Sequence, residues 1–166
     1  MPVVVVRRAE SADAAAILAL RHAAEDWLAS RSIDQWKPRE IPLSTIDQQV
    51  ASGEFIVGLR PQTQYIVAAM RLIWSDPKIW TDDEDACYVH GLVIDRSRAG
   101  TGLGTAMLGH ASDTARRAGV GRLRLDCAES NAALRSYYQR CGFTEVGRRD
   151  FDDGQWFSVT LFEKAL

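Results

Sequence analysis

The order of apolar runs along the chain predicts an α/β fold, with helices packed on a mixed sheet. Three features point there. From Glu54 to Ile94 the strand-like runs follow one another with no helix between them, as antiparallel neighbours do. From Leu103 to Arg140 a helix, a strand and a second helix alternate, which calls for a parallel strand pair. The chain then ends on two more strand-like runs about Asp152-Asp153-Gly154, a good hairpin turn. At 166 residues, 46% hydrophobic and 25% charged, it has the size and balance of a single globular domain, residues 1–166.

The elements follow in order. Val3 to Arg8 is short and β-branched, a strand. Ser11 is placed to cap an alanine-rich helix whose apolar face (Ile17, Leu18, Leu20, Ala24, Trp27, Leu28) runs to about Ser30. A second helix is expected from Ser44 to Ser52, ended by Gly53. Glu54 to Leu59 and Tyr65 to Trp74 form a hairpin across Arg60-Pro61-Gln62-Thr63-Gln64. After the acidic run Thr81-Asp82-Asp83-Glu84-Asp85 comes a strand from Ala86 to Ile94. Leu103, Met107, Ala111, Ala115 and Ala118 recur at helical spacing up to Gly119. Arg122 to Cys127 is a strand, Asn131 to Arg140 a helix, and Phe143 to Arg149 and Trp156 to Glu163 the closing strands.

Composition removes several classes. A net charge of −2 lacks the positive field that nonspecific nucleic-acid binding needs. No apolar stretch reaches the roughly 18 residues needed to cross a bilayer, so no membrane partner is expected. Met1-Pro2-Val3-Val4-Val5-Val6 has no basic start and stops at Arg7-Arg8, unlike a signal peptide. Cys87, Cys127 and Cys141 form no C-x-x-C pair, which fits reduced thiols in a cytoplasmic protein. No His, Cys or carboxylate group has metal-ligand spacing.

The strongest local signal is Arg98-Ala99-Gly100-Thr101-Gly102-Leu103-Gly104-Thr105, between a strand and a helix. Alternating glycines and the free amides of a helix start suit a pyrophosphate, although a plain flexible turn would read the same way. Asp126, ending the next strand, invites a dinucleotide reading. Thr105 stands where the last glycine of that fingerprint belongs, and too few residues follow Asp126 for a doubly wound sheet. A P-loop fails because no Gly-Lys-Ser/Thr follows.

The run Leu92-Val93-Ile94 with Gly100-Thr101-Gly102-Leu103-Gly104 resembles the acyl-CoA loop of the GNAT superfamily of N-acetyltransferases, written Q/R-x-x-G-x-G/A. Gly102 and Gly104 fill its last two places. Ala99 stands where Gln or Arg is expected, with Arg98 one residue earlier to supply the charge. A second signature of the family is matched by Asn131, Tyr138, Gly142 and Phe143. The resemblance implies a mixed, mainly antiparallel central sheet flanked by helices, with a splayed fourth and fifth strand pair. It implies acetyl-CoA as cosubstrate and no metal. It puts the pyrophosphate on the amides from Ala99 to Thr105 and the pantetheine arm along Val93 and Ile94, with the Ile94 amide toward the thioester oxygen. It gives Asn131 a hydrogen bond to the CoA arm, where the residue alone reads equally as a helix cap. A homodimer is a family habit.

Tyr138 resembles the family's general acid. A thiol has a pKa near 8.5 and a tyrosine near 10, so a strong hydrogen bond with late proton movement is the better picture. Without the motif Tyr138 reads as a core aromatic beside Leu134, and Tyr137 faces about 100° away on the helix. An amine resembling lysine is almost wholly protonated at pH 7, so a base is needed. His90 answers it: two-residue alternation puts it on the face of Leu92 and Ile94, and its ordinary pKa suits neutral pH. A half-buried structural histidine is the bland alternative. His22 and His110 match nothing, and the cysteines read as spectators.

The leading reading is therefore acetyl transfer to a primary amine on a small molecule. The rivals are a protein lysine or N-terminus as acceptor, and a non-catalytic acyl-CoA-binding regulatory module. The loop 31–43 with Trp36 suggests a pocket lid. The five tryptophans and the acidic residues Asp82, Asp83, Glu84, Asp85, Asp150, Asp152 and Asp153 either face solvent and core or meet at the pocket mouth. In the second case they would favour a cationic, partly apolar amine by cation–π attraction and steering.

Overall fold

The computed structural model describes residues 3–151 and 156–166. The expected Asp152-Asp153-Gly154 turn lies outside them. The elements are β1 (Val5–Arg8), α1 (Ala14–Ser30), α2 (Leu43–Ala51), β2 (Phe55–Leu59), β3 (Ile66–Ile73), β4 (Cys87–Ile94), α3 (Leu103–Arg117), β5 (Arg122–Ala128), α4 (Ala132–Arg140), β6 (Thr144–Arg149) and β7 (Val159–Ala165). They build a seven-stranded sheet in the order β1-β2-β3-β4-β5-β7-β6. Each neighbouring pair is antiparallel except β4 and β5, which run parallel. A mixed sheet is what the sequence pattern called for, and its mainly antiparallel pairing is what the family resemblance implied.

Two apolar layers flank the sheet. Leu103, Met107, Ala111 and Ala115 of α3 pack on Met70, Val89, Leu123, Leu125 and Phe162. On the other face Ile17 and Ala24 of α1, with Ile46 and Val50 of α2, cover Phe55, Val57, Ala69 and Val93. These are the positions that helical and alternating spacing mark as inward.

Three expectations need correcting. Ser11 does not cap α1: a short 3-10 turn, Ser11–Asp13, precedes that helix. The Asp13 carboxylate anchors the turn instead, accepting the Glu10 amide at 2.7 Å and the Arg7 guanidinium at 2.7 Å. The last strand begins at Val159 rather than Trp156. The third correction bears on the site. In the pairing of β3 with β4, Ala69 faces Val93 but Arg71 faces His90, so β4 carries one extra residue there. Gly91 absorbs the bulge at φ +59°, in the left-handed region that favours glycine. Alternation therefore breaks. Val89, Leu92 and Ile94 all belong to the α3 layer, whereas Val93 joins the α1–α2 layer. His90, next to Val89, faces away from Leu92 and Ile94, not with them.

Candidate active site

The parallel pairing of β4 and β5 is brief. Cys87 pairs with Leu123 and Tyr88 with Arg124, after which the strands part into a fork. His90 stands on one arm and Asp126 on the other, each two residues past the last pair and on the same face. Asp76 joins them from the loop after β3, where its carbonyl accepts the amides of Ile79 at 3.2 Å and Trp80 at 2.9 Å. His90 Nε2 lies 2.9 Å from Asp76 Oδ2. One polar atom from each of Asp76, His90 and Asp126 comes within 4.8 Å of the other two. Since a carboxylate only accepts, His90 Nε2–H is the donor to Asp76, which leaves the Nδ1 lone pair free to take a proton.

Asp126 has a different character. Its Oδ1 is buried with no hydrogen-bond partner. Burial pushes its carboxyl up to about 6; His90 opposes this and Asp76 adds to it. The fork thus holds an imidazole with its orienting carboxylate, and across from them a second carboxylate that titrates near neutrality. Sequence reading found His90 but missed this grouping. Asp76 sits in an unremarked turn, and Asp126 attracted notice only for the dinucleotide reading. The available signal was an acid on the second face of a strand whose other face is wholly apolar, Leu123-Arg124-Leu125-Asp126-Cys127.

The backbone of β4 points into the same fork. Asp95 N–H reaches back to Val67 O on β3 at 2.8 Å. Successive amides of a strand point to opposite sides, so the Ile94 N–H is directed into the open side. Val93 itself is buried.

The glycine loop follows. Arg98 closes a 3-10 turn and Ala99 is exposed beside it. Asp95 stitches the turn by accepting the Ser97 amide at 2.9 Å, and Thr101 Oγ1 donates to the Arg98 carbonyl at 2.6 Å. Gly100 and Gly102 have φ of +80° and +85°, with open space where a Cβ would lie. The first amide bonded back within α3 is Ala106, to Gly102 O at 3.0 Å, so those of Leu103, Gly104 and Thr105 lead out of the helix start. The Leu103 side chain is core, and only its amide faces the loop. Gly104 is required by a neighbour: a Cβ there would lie 2.8 Å from the Tyr137 hydroxyl. That hydroxyl also sits 3.1 Å from Thr105 Oγ1. Tyr137, expected to be an unrelated neighbour, is a wall of the loop.

Tyr138 is buried, its ring packed on Phe143 at 5.9 Å and Phe162 at 5.7 Å. Burial, with smaller contributions from Cys127 and Asp126, pushes its hydroxyl above the ordinary tyrosine range. It is therefore a neutral donor throughout the working pH range. Asn131 is also buried, with one bond at each end of its amide. Oδ1 caps α4 by accepting Leu134 N–H at 3.2 Å, and Nδ2 donates to Gln35 Oε1 at 3.3 Å. The geometry is that of the cap. Gln35 also accepts the Ala128 amide at 3.1 Å, so the loop 31–42 is tied over the end of β5. Cys87 and Cys127 are buried, which pushes both thiols up to about 12 and leaves them unreactive.

Among the described residues, part of the aromatic and acidic set is engaged within the protein itself. Arg124 stacks over Trp80 at 4.2 Å, Arg21 over Trp36 at 3.7 Å and Arg96 over Trp27 at 3.7 Å. Asp82 pairs with Arg124, Glu84 with Arg122 and Asp150 with Arg148. Arginines thus cover the faces of Trp27, Trp36 and Trp80, and Asp82, Glu84 and Asp150 lie beside arginines of β5 and β6. A cavity of about 450 Å³ on that face of β5, β7 and β6 is lined by these pairs.

Comparison with known proteins bears on the family and the fold. The family model described as "Acetyltransferase (GNAT) family" matches residues 21–143. The uncharacterized N-acetyltransferase YesJ of Bacillus subtilis (strain 168) is 30% identical over 163 residues, covering 93% of this chain and 86% of that protein. An acetyltransferase of the GNAT family from Listeria monocytogenes 4b F2365 superposes with a TM-score of 0.83 at 26% identity, over 98% of this chain and 95% of that one. The structure of yncA, a putative acetyltransferase from Salmonella typhimurium with its cofactor acetyl-CoA, shares the fold with a TM-score of 0.71 at 18% identity, over 98% and 94% of the two chains. With the glycine loop at a helix start, the forked β4–β5 pair and these matches, the chain belongs to the GNAT family of acetyl-CoA-dependent N-acetyltransferases.

Proposed function

We propose that the protein acetylates a primary amine of a small molecule by direct attack on acetyl-CoA, with His90 as base and Tyr138 as acid. The reading rests above all on the His90–Asp76 pair standing at the fork, with Nδ1 of His90 left free. The CoA pyrophosphate lies on the amides of the segment from Ala99 to Thr105, and the pantetheine arm follows Val93 and Ile94 into the fork. The amine nitrogen attacks the thioester carbon while the Ile94 N–H holds the developing oxyanion. Before attack His90 Nδ1 takes one proton from the ammonium, directly or through water, and sheds it to solvent; the second N–H proton passes to His90 as the tetrahedral adduct forms. Collapse breaks the C–S bond, and the sulfur takes a hydrogen bond and then a proton from Tyr138. Because the buried tyrosine gives up its proton reluctantly, that transfer is late. Solvent then returns the proton from His90 to the phenolate, leaving free CoA and the amide. A small acceptor suits the roof that Gln35 makes by bridging to Ala128 and Asn131, which narrows the approach for a folded partner.

Thiol release from acetyl-CoA, measured against a panel of small primary amines and against lysine and N-terminal peptides, tests the reading. His90→Ala should lower kcat/KM most near neutral pH, the gap closing as the amine deprotonates unaided near its own pKa of about 10.4. An unchanged pH profile removes His90 from the mechanism. Stabilisation by acetyl-CoA with no turnover of any amine would make the protein a binding module.

A further inference from the structure

Two carboxylates share the fork with one imidazole, and the charge there is incomplete. Among the described residues no lysine or arginine pairs with Asp76 or Asp126, and Asp126 Oδ1 has no donor at all. Arg124, two residues before Asp126 on the same face, is held by Asp82 at 2.8 Å and Glu163 at 2.7 Å. Leu161 is opposite Asp126 on β7. Tyr138 of α4, whose electrostatics feel Asp126, is neutral. Among the described residues, the one side-chain donor that reaches these two carboxylates is His90 Nε2–H, so acceptors outnumber donors at the fork.

We propose that Asp126, with Asp76 and His90, forms a cradle that selects the acceptor as a primary ammonium ion. The inference rests on the acetyl-transfer reading, because it takes the cation to be the amine before deprotonation. A primary ammonium has three N–H donors, and three acceptor groups converge from different elements: β5, β4 and the loop after β3. Secondary and tertiary amines lose one or two of those bonds, and a neutral alcohol of the same shape loses the charge. Asp126 therefore sets specificity by contact with the acceptor, while His90 takes the proton. The carboxylate that titrates near 6 without a ligand becomes firmly ionised once the cation is seated.

The full-length wild-type protein tests this without knowledge of the natural acceptor. The Asp126 carboxyl is followed by ¹³C NMR from acid to alkaline pH in EDTA-treated buffer, with methylammonium chloride as probe and tetramethylammonium chloride, which has no N–H, as control at equal ionic strength. Linkage predicts that methylammonium at threefold above its Kd lowers the titration midpoint by about 0.6 unit. Tetramethylammonium should leave the midpoint in place. Equal midpoints in the two salts up to about 0.5 M would overturn the cradle, since binding that weak selects nothing. Acetyl-CoA binding is measured on the same sample. If acetyl-CoA fails to bind while methylammonium still moves the midpoint, the acetyl-transfer reading falls and the cradle stands; the converse removes the cradle alone.

Discussion

Replacing Asp126 by Asn should stabilise the protein at alkaline pH while damaging catalysis. Burial raises this carboxyl from 3.8 to about 6, so the fold prefers its protonated form. The stability contributed by that proton is fully present below about pH 4 and is lost as pH rises through 6. A shift of about two units at 1.36 kcal/mol per unit amounts to roughly 2–3 kcal/mol above pH 7. Asparagine carries no charge at any pH and escapes the loss. The variant should match wild type near pH 4 and exceed it by roughly 2–3 kcal/mol at pH 8, about 5–10 °C in Tm for a chain of this size. Urea unfolding at several pH values, with the slope checked for constancy, measures the difference. A difference that stays flat or shrinks as pH rises would refute the reasoning, because only the ionised carboxylate is under strain.

Other outcomes follow from the same structure. Acetyl-CoA at 100-fold above its Kd should stabilise wild type by about 2.7 kcal/mol, readable as a Tm shift. Gly102→Asp should abolish the shift, since it puts a side chain at φ +85° and a negative charge at the helix start. Tyr138→Phe should lower kcat by about 10²-fold or more with little change in CoA affinity, as for loss of a positioned acid, and stopped assays with a separate binding isotherm check both parts. Tyr137→Phe loses the 3.1 Å link to Thr105 beside the glycine loop and should alter CoA affinity more than kcat.

The fold was legible because its signals are local. Helical spacing in α3 and the turn residues between β2 and β3 depend on neighbours in sequence, and both elements formed where expected. The glycine loop was legible for the same reason. What escaped was assembled at a distance. Asp76 reaches His90 through the turn closed on its own carbonyl, and Asp126 arrives from β5, with no spacing to announce either. The acidic loop misled in the opposite sense: Asp82 and Glu84 looked available until the fold set Arg124 and Arg122 beside them.

The one extra residue in β4 shows how such an arrangement is decided. Strict alternation from Ile94 would have turned position 90 into the α3 layer, among Val89's buried neighbours, where an imidazole loses its hydration and meets no carboxylate. The bulge at Gly91 resets the phase. Below it, Tyr88 and His90 face the same side as Arg124 and Asp126; above it, Leu92 and Ile94 still close the α3 core. The strand can thus place His90 beside Asp76 and Asp126 while directing the next amides into the fork. A residue with a Cβ at φ +59° resists that phase change. The position of His90 is in this sense a property of the glycine after it: removing the left-handed residue would send the imidazole to the other side of an otherwise unchanged sheet.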